Sequence, residues 1–131
     1  MDINCNGRRA IVTAGANGIG LTIARTLSAN GAKVVVCDVD EAALASIAKS
    51  DPDLVGVATD VGDPGSVDGL FEAAADAMGG VDILANNAGI AGPTKHVEDV
   101  SPEEWERTIS VDVNGQFYCV RRAVPLMRKA G

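Results

Sequence analysis

Lys33-Val34-Val35-Val36-Cys37-Asp38 carries four apolar side chains in an unbroken run between two charged ends. A strand with one face in water alternates polar and apolar residues. A strand without that alternation is covered on both faces, as in a parallel sheet with helices packed above and below. Parallel strands also need crossover connections long enough to hold a helix. The run therefore demands helical segments on either side of it.

The chain supplies them. Arg9-Ala10-Ile11-Val12-Thr13 reads as a first strand ending in glycines, and Gly20 to Ala29 carries Leu21, Ile23, Ala24 and Leu27 at helical spacing before Asn30-Gly31 caps it. Asp40 can cap a helix over Glu41 to Lys49. Leu54 to Thr59 is a third strand, Asp63-Pro64-Gly65-Ser66 opens a helix that runs to Gly79-Gly80, and Val81 to Asn86 is a fourth strand. Ser101, Pro102 and Glu104 form a strong helix start, with a cap, a proline at the first position and a capping box. Helix is expected from there to Lys129, with a break near Asn114-Gly115. The order βαβαβαβα, with right-handed crossovers, predicts the α/β class: a doubly wound parallel sheet of about four strands in the order 3-2-1-4. That is slightly more than one mononucleotide-binding half of a Rossmann fold. Residues 1–131 are expected to form one domain.

Composition narrows the partners. The net charge is −7, so a polyanion such as nucleic acid would be repelled. No apolar run approaches the ~20 residues a membrane helix needs, and Met1 to Arg9 has no apolar core of a secretory signal, which points to the cytoplasm. The three cysteines, Cys5, Cys37 and Cys119, are odd in number and share no CxxC spacing, and His96 is the only histidine. No metal site or disulfide scaffold is expected.

The chemistry concentrates in Thr13-Ala14-Gly15-Ala16-Asn17-Gly18-Ile19-Gly20, between the first strand and its helix. A pyrophosphate must approach the backbone closely, at a helix start whose free N–H groups and dipole favour anions. Glycine permits both the turn and the approach. At the end of the second strand, Asp38 can accept hydrogen bonds from both ribose hydroxyls of NAD. Asp60-Val61 follows the third strand, and Asn86-Asn87-Ala88-Gly89 the fourth. Asparagine side chains there can tie strand ends together, and Ala88-Gly89 leaves room for a ligand.

These segments resemble the short-chain dehydrogenases/reductases. Thr13, Gly18, Ile19 and Gly20 match the family's TGxxxGxG signature, with Ala14 where its first glycine stands, and Asn86-Asn87-Ala88-Gly89 matches its NNAG motif. The resemblance implies a cofactor site made by Gly15, Asn17, Gly18, Ile19, Gly20, Asp38, Asp60, Val61, Asn87, Ala88, Gly89 and Val111. In it, Asp60 and the Val61 N–H contact adenine and Asn87 lies on the ribose side. The implied cofactor is NAD in preference to NADP, because Asp38 would face the 2′-phosphate, and the implied activity is hydride transfer between nicotinamide and an alcohol or ketone.

Two departures limit that expectation. Asp112 stands where the family has the asparagine of its catalytic tetrad. The family's proton-transfer groups, a Ser followed by Tyr-x-x-x-Lys, have no counterpart. Tyr118 is the one tyrosine, Arg122 follows it in the wrong helix, and no serine follows Ser110. No catalytic residue is therefore assigned. The resemblance implies a fifth strand beyond Lys129-Ala130-Gly131, and so a chain truncated relative to the family and inactive alone. A strand four left as an edge, together with a long helical segment, predicts self-association or a homo-oligomer. The alternative is a non-catalytic nucleotide-binding or interaction module on the same fold. A P-loop NTPase is excluded because no GK[ST] follows the glycines, and a Rossmann methyltransferase is disfavoured by the Asn-Asn-Ala-Gly segment.

Overall fold

A computed structural model describes residues 3–131. The strands are β1 (Arg9–Thr13), β2 (Lys33–Asp38), β3 (Leu54–Ala58) and β4 (Ile83–Ala85). They form one parallel sheet in the order β3-β2-β1-β4. Ile11 pairs with Val35 on one side and Leu84 on the other, and Val35 pairs with Val55. The helices are α1 (Gly18–Ala29), α2 (Glu41–Ser50), α3 (Pro64–Met78), α4 (Pro102–Ile109) and α5 (Gly115–Ala130).

The unbroken apolar run of β2 is explained by two cores. Val34 and Val36 point into one, with Ala10, Val12, Ala24 of α1 and Ile47 of α2. Val35 and Cys37 point into the other, with Ile11, Leu70 and Phe71 of α3, and Cys119 and Ala123 of α5. Adjacent strand residues serve opposite faces, so all of them are apolar.

Local signals set the helix ends. Asp40 accepts from the Ala43 N–H at 3.0 Å, and Gly79 ends α3 in the left-handed conformation at φ 77°. Ser101 and Glu104 close the expected capping box, at 3.1 and 3.0 Å.

Beside shifts of one or two residues at the start of α1 and the end of α2, three boundaries differ from the sequence expectation. The fourth strand is shorter than Val81 to Asn86. Val81 is buried before the ladder begins, and Asn87 N–H turns to the Thr13 hydroxyl at 2.9 Å, which ends pairing at Ala85. The third strand stops at Ala58, one residue early. No break separates α4 from α5. Ser110–Asn114 forms a π-helical turn that carries the axis through, and Gly115 packs its Cα against the backbone of Val61, where a Cβ would lie 3.0 Å from the carbonyl oxygen. Glycine at 115 answers to that close approach rather than to a chain reversal. Pro125 is also accommodated inside α5.

Candidate functional site

All four strands point their carboxyl ends to one edge of the sheet. The strand order reverses between β1 and β4, and a crevice opens there, as open α/β sheets place their ligands. A cavity of about 150 Å³ occupies it. Its walls include Asp38, Asp60, Val61, Ala88, Gly89 and Val111, so half of the residues named from sequence converge on one space. Ala14, Cys37, Ile90 and Arg107 also line it and were not assigned to the site from sequence.

The glycine loop forms a shoulder of this cavity rather than its lining. Gly15 N–H donates to the Cys37 carbonyl at 3.0 Å, and Ala16 N–H to Asp38 Oδ2 at 3.3 Å. Asp38 Oδ1 accepts from Asp40 N–H at 3.1 Å, so the carboxylate is braced from both sides. Gly15 lies against β2, where a Cβ would stand 2.6 Å from that of Val36. Gly20 lies still closer: an added Cβ would fall on the Ala14 carbonyl and 2.7 Å from Asn87 Nδ2. Asn17, Gly18 and Ile19 are exposed at the start of α1, and Asn17 gives the helix no side-chain cap. The first-turn N–H groups are thus left without a side-chain acceptor, as an anion site requires.

Asn87 has its amide turned into the seam between β1 and β4. Its Nδ2 donates to the Thr13 carbonyl at 3.1 Å and more weakly to that of Ala14 at 3.4 Å. The fully buried Thr13 hydroxyl accepts from both Asn87 and Ala88 N–H at 2.9 Å. Asn86 Nδ2 reaches the Gln116 carbonyl on α5 at 3.1 Å. Asn87 does tie the ends of β1 and β4 together at the switch point, whereas Asn86 ties the end of β4 to α5.

The π-helical turn supports the other wall. Asp112 Oδ1 accepts from Ile90 N–H at 2.7 Å, and Ser110 donates to the Gly62 carbonyl at 2.9 Å. Asp60 Oδ1 accepts from Gly62 N–H at 2.9 Å, and Asp60 Oδ2 pairs with Arg107 Nη1 at 3.0 Å. Arg107 was legible in principle: it stands four residues before Val111, one turn away on the same side of the helix.

Burial pushes the Cys37 thiol up to about 12, so at neutral pH it is an apolar wall and no nucleophile. Tyr118 and Arg122 lie apart from the cavity lining. Arg122 pairs with Asp68 of α3 at 2.8 Å and stands 6.0 Å from the centre of the Phe71 ring, a packing role.

Comparison with known proteins agrees with this fold. The sequence pattern described as short chain dehydrogenase matches residues 8–131. The chain belongs to the short-chain dehydrogenase family. It is 37% identical to versicolorin reductase stcU of Emericella nidulans, over 96% of this chain and 49% of that protein. It is 40% identical to an NADP-dependent (R)-specific alcohol dehydrogenase of Lentilactobacillus kefiri, over 95% of this chain and 50% of that protein. Among solved structures, 3-ketoacyl-(acyl-carrier-protein) reductase from Brucella melitensis, complexed with NADH, superposes with a TM-score of 0.90 at 35% identity, covering 96% of this chain and 52% of that one. This short-chain dehydrogenase chain therefore spans about half the length of the relatives it matches. Among the described residues, no helix is long and apolar enough to cross a membrane.

Proposed function

We propose that residues 1–131 form a single dinucleotide-binding Rossmann domain that holds NAD(H) in preference to NADP(H), as part of an oxidoreductase acting on an alcohol or ketone. The observation that carries this reading is the convergence of the glycine loop, Asp38 and Asp60 on one crevice at the β1/β4 switch. The donor set fits the ligand. The loop from Gly15 to Gly20 lets a pyrophosphate reach the start of α1, and Asp38 offers acceptors to the ribose hydroxyls. Asp60 and the Val61 N–H serve adenine, Asn87 lies on the ribose side with Ala88 and Gly89 leaving room for the cofactor beside it, and Val111 closes the apolar floor. Nicotinamide, when bound, carries the hydride.

No group here stands in for the family's tyrosine and lysine, so this stretch is expected to bind without turnover. Loss of positioning at the nicotinamide end alone can lower a rate by orders of magnitude. A titration of NADH fluorescence, with ADP-ribose and AMP as competitors, tests the binding. The adenosine compounds should displace NADH nearly one for one, because the contacts named above lie at the adenosine and pyrophosphate end. S-adenosylmethionine should not compete. NADH oxidation over a panel of ketones should show no turnover that survives repurification.

The second reading is a non-catalytic interaction module. It is favoured by the exposed apolar residues Trp105, Val113, Phe117 and Val120 along α4 and α5. Failure of any adenosine nucleotide to bind would select it. Under either reading the chain is expected to self-associate. Three free, buried cysteines suit the reducing cytoplasm.

A further inference from the structure

Asp60 and Arg107 meet at the edge of the nucleotide cavity. Arg107 Nη1 reaches both carboxylate oxygens, Oδ2 at 3.0 Å and Oδ1 at 3.3 Å. Their side chains are 50% and 39% exposed. Ion pairs so open to water add little to stability, so the contact needs another explanation than holding the fold together.

Its place in the site supplies one. Arg107 and Ile90 line both the inner cavity and an open cleft beyond it, so they form the wall between the two. The neighbouring Glu104 is already engaged by Lys95 at 2.8 Å and by the Ser101 N–H, which leaves Asp60 as the ion-pair partner of Arg107 among the described residues. Asp60 is held at three points. Its N–H donates to Ser66 Oγ at 3.0 Å, Oδ1 accepts from Gly62 N–H, and Oδ2 accepts from Arg107 alone. A carboxylate oxygen has two acceptor positions, so Oδ2 keeps one for a ligand.

We propose that Arg107 is a positioning residue for the purine: its guanidinium fixes the Asp60 carboxylate so that Oδ2 accepts from the exocyclic amino group of a base in the cavity. This rests on the nucleotide reading above. Without Arg107 the carboxylate keeps only the Gly62 N–H on Oδ1 and can pivot about that bond, so the base loses an oriented Oδ2 acceptor rather than a contact to arginine itself. The pair then sets which purine is bound, not merely how tightly.

The test compares NADH with its hypoxanthine analogue, which has a carbonyl where adenine has the amino group. Binding of both is titrated to the wild-type chain, Arg107→Gln and Arg107→Lys. The wild type should prefer NADH about tenfold, the loss of one hydrogen bond to a charged acceptor. Arg107→Gln should reduce the preference to about twofold, while Arg107→Lys keeps most of it, because a single nitrogen of Arg107 makes both contacts to Asp60 and one ammonium can stand in its place. The melting temperature reports folding and should change little. Absence of any base preference in the wild type, or an Arg107→Gln chain that keeps it or weakens both dinucleotides equally, overturns the assignment while leaving the dinucleotide reading standing. Failure of the wild type to bind either compound overturns that reading as well.

Discussion

The carbonyl of Ala14 occupies the space that a Cβ on Gly20 would need, and Ala14 itself holds a left-handed backbone at φ 50°. It is the one non-glycine residue with positive φ among the described residues. The loop therefore folds over its helix start with strain at the position where the family's signature has glycine. A left-handed alanine costs roughly 1–2 kcal/mol, and the extra freedom of glycine in the unfolded chain costs roughly 0.4–1 kcal/mol. Ala14→Gly is expected to stabilise by about 0.5–1 kcal/mol, read as a raised urea midpoint with unchanged slope. Gly20→Ala should destabilise by about 1–3 kcal/mol through overpacking against that carbonyl. An Ala14→Gly chain less stable than the parent would show that the loop is relaxed as it stands.

Asp38 sets the expected cofactor preference. Its carboxylate is braced by Ala16 and Asp40 N–H groups, so it cannot readily swing away from a 2′-phosphate. Two unit charges ~4 Å apart repel by ~1 kcal/mol in water and ~4 kcal/mol at an effective dielectric of ~20. That converts to roughly fivefold to several-hundredfold weaker binding of NADPH than NADH. Asp38→Asn should shrink the gap mainly by improving NADPH. One relative is NADP-dependent and another was solved with NADH, so proteins similar to this chain take either cofactor and the two dissociation constants must be measured side by side. Equal constants in the wild type would remove Asp38 from its assigned role.

Much of this architecture was legible because the signals are local. The unbroken apolar run of β2 announced a sheet covered on both faces, and the strand order 3-2-1-4 set the ends of β1 and β4, which Asn87 ties together, side by side. What was missed depends on contacts between distant segments. The end of β4 is decided by the Thr13 hydroxyl, 74 residues away from Asn87. Gly115 resembled a breaker, yet it marks the approach of a continuous helix to Val61. Arg107 reads as one more surface cation until the fold sets it against Asp60.

Stability should fall in acid through three ion pairs, one of them Lys95–Glu104, in which Lys95 lowers the Glu104 carboxyl below its ordinary 4.5. Arg25 and Ser50 hold the Asp51 carboxylate down from 3.8 to about 2, and Arg9 lowers that of Asp82. A carboxylate depressed in the folded state stabilises fully above its ordinary range and loses that effect as pH falls through the folded value. The urea midpoint should therefore stay level from neutral pH to about 5 and decline between about 5 and 2. Asp51→Asn and Asp82→Asn should each lower the midpoint at neutral pH and flatten the acid limb. A wild-type midpoint unchanged to about pH 2 would contradict the assigned pairs.

The exposed side of the long helical segment predicts association. Val113, Phe117 and Val120 follow one another at spacings of four and three residues, and Phe117 and Trp105 are each 62% exposed. Such spacing places apolar side chains along one side of a helix, where none of the described residues covers them. The sheet edge at β4 adds unpaired backbone groups beyond Ile83–Ala85. The two surfaces make separable predictions. If the helices dominate, Phe117→Glu should shift a concentration series in sedimentation toward monomer without lowering the melting temperature. If the sheet edge dominates, Phe117→Glu should leave the association unchanged. A wild-type chain that stays monomeric at high concentration would show that neither surface recruits a second copy.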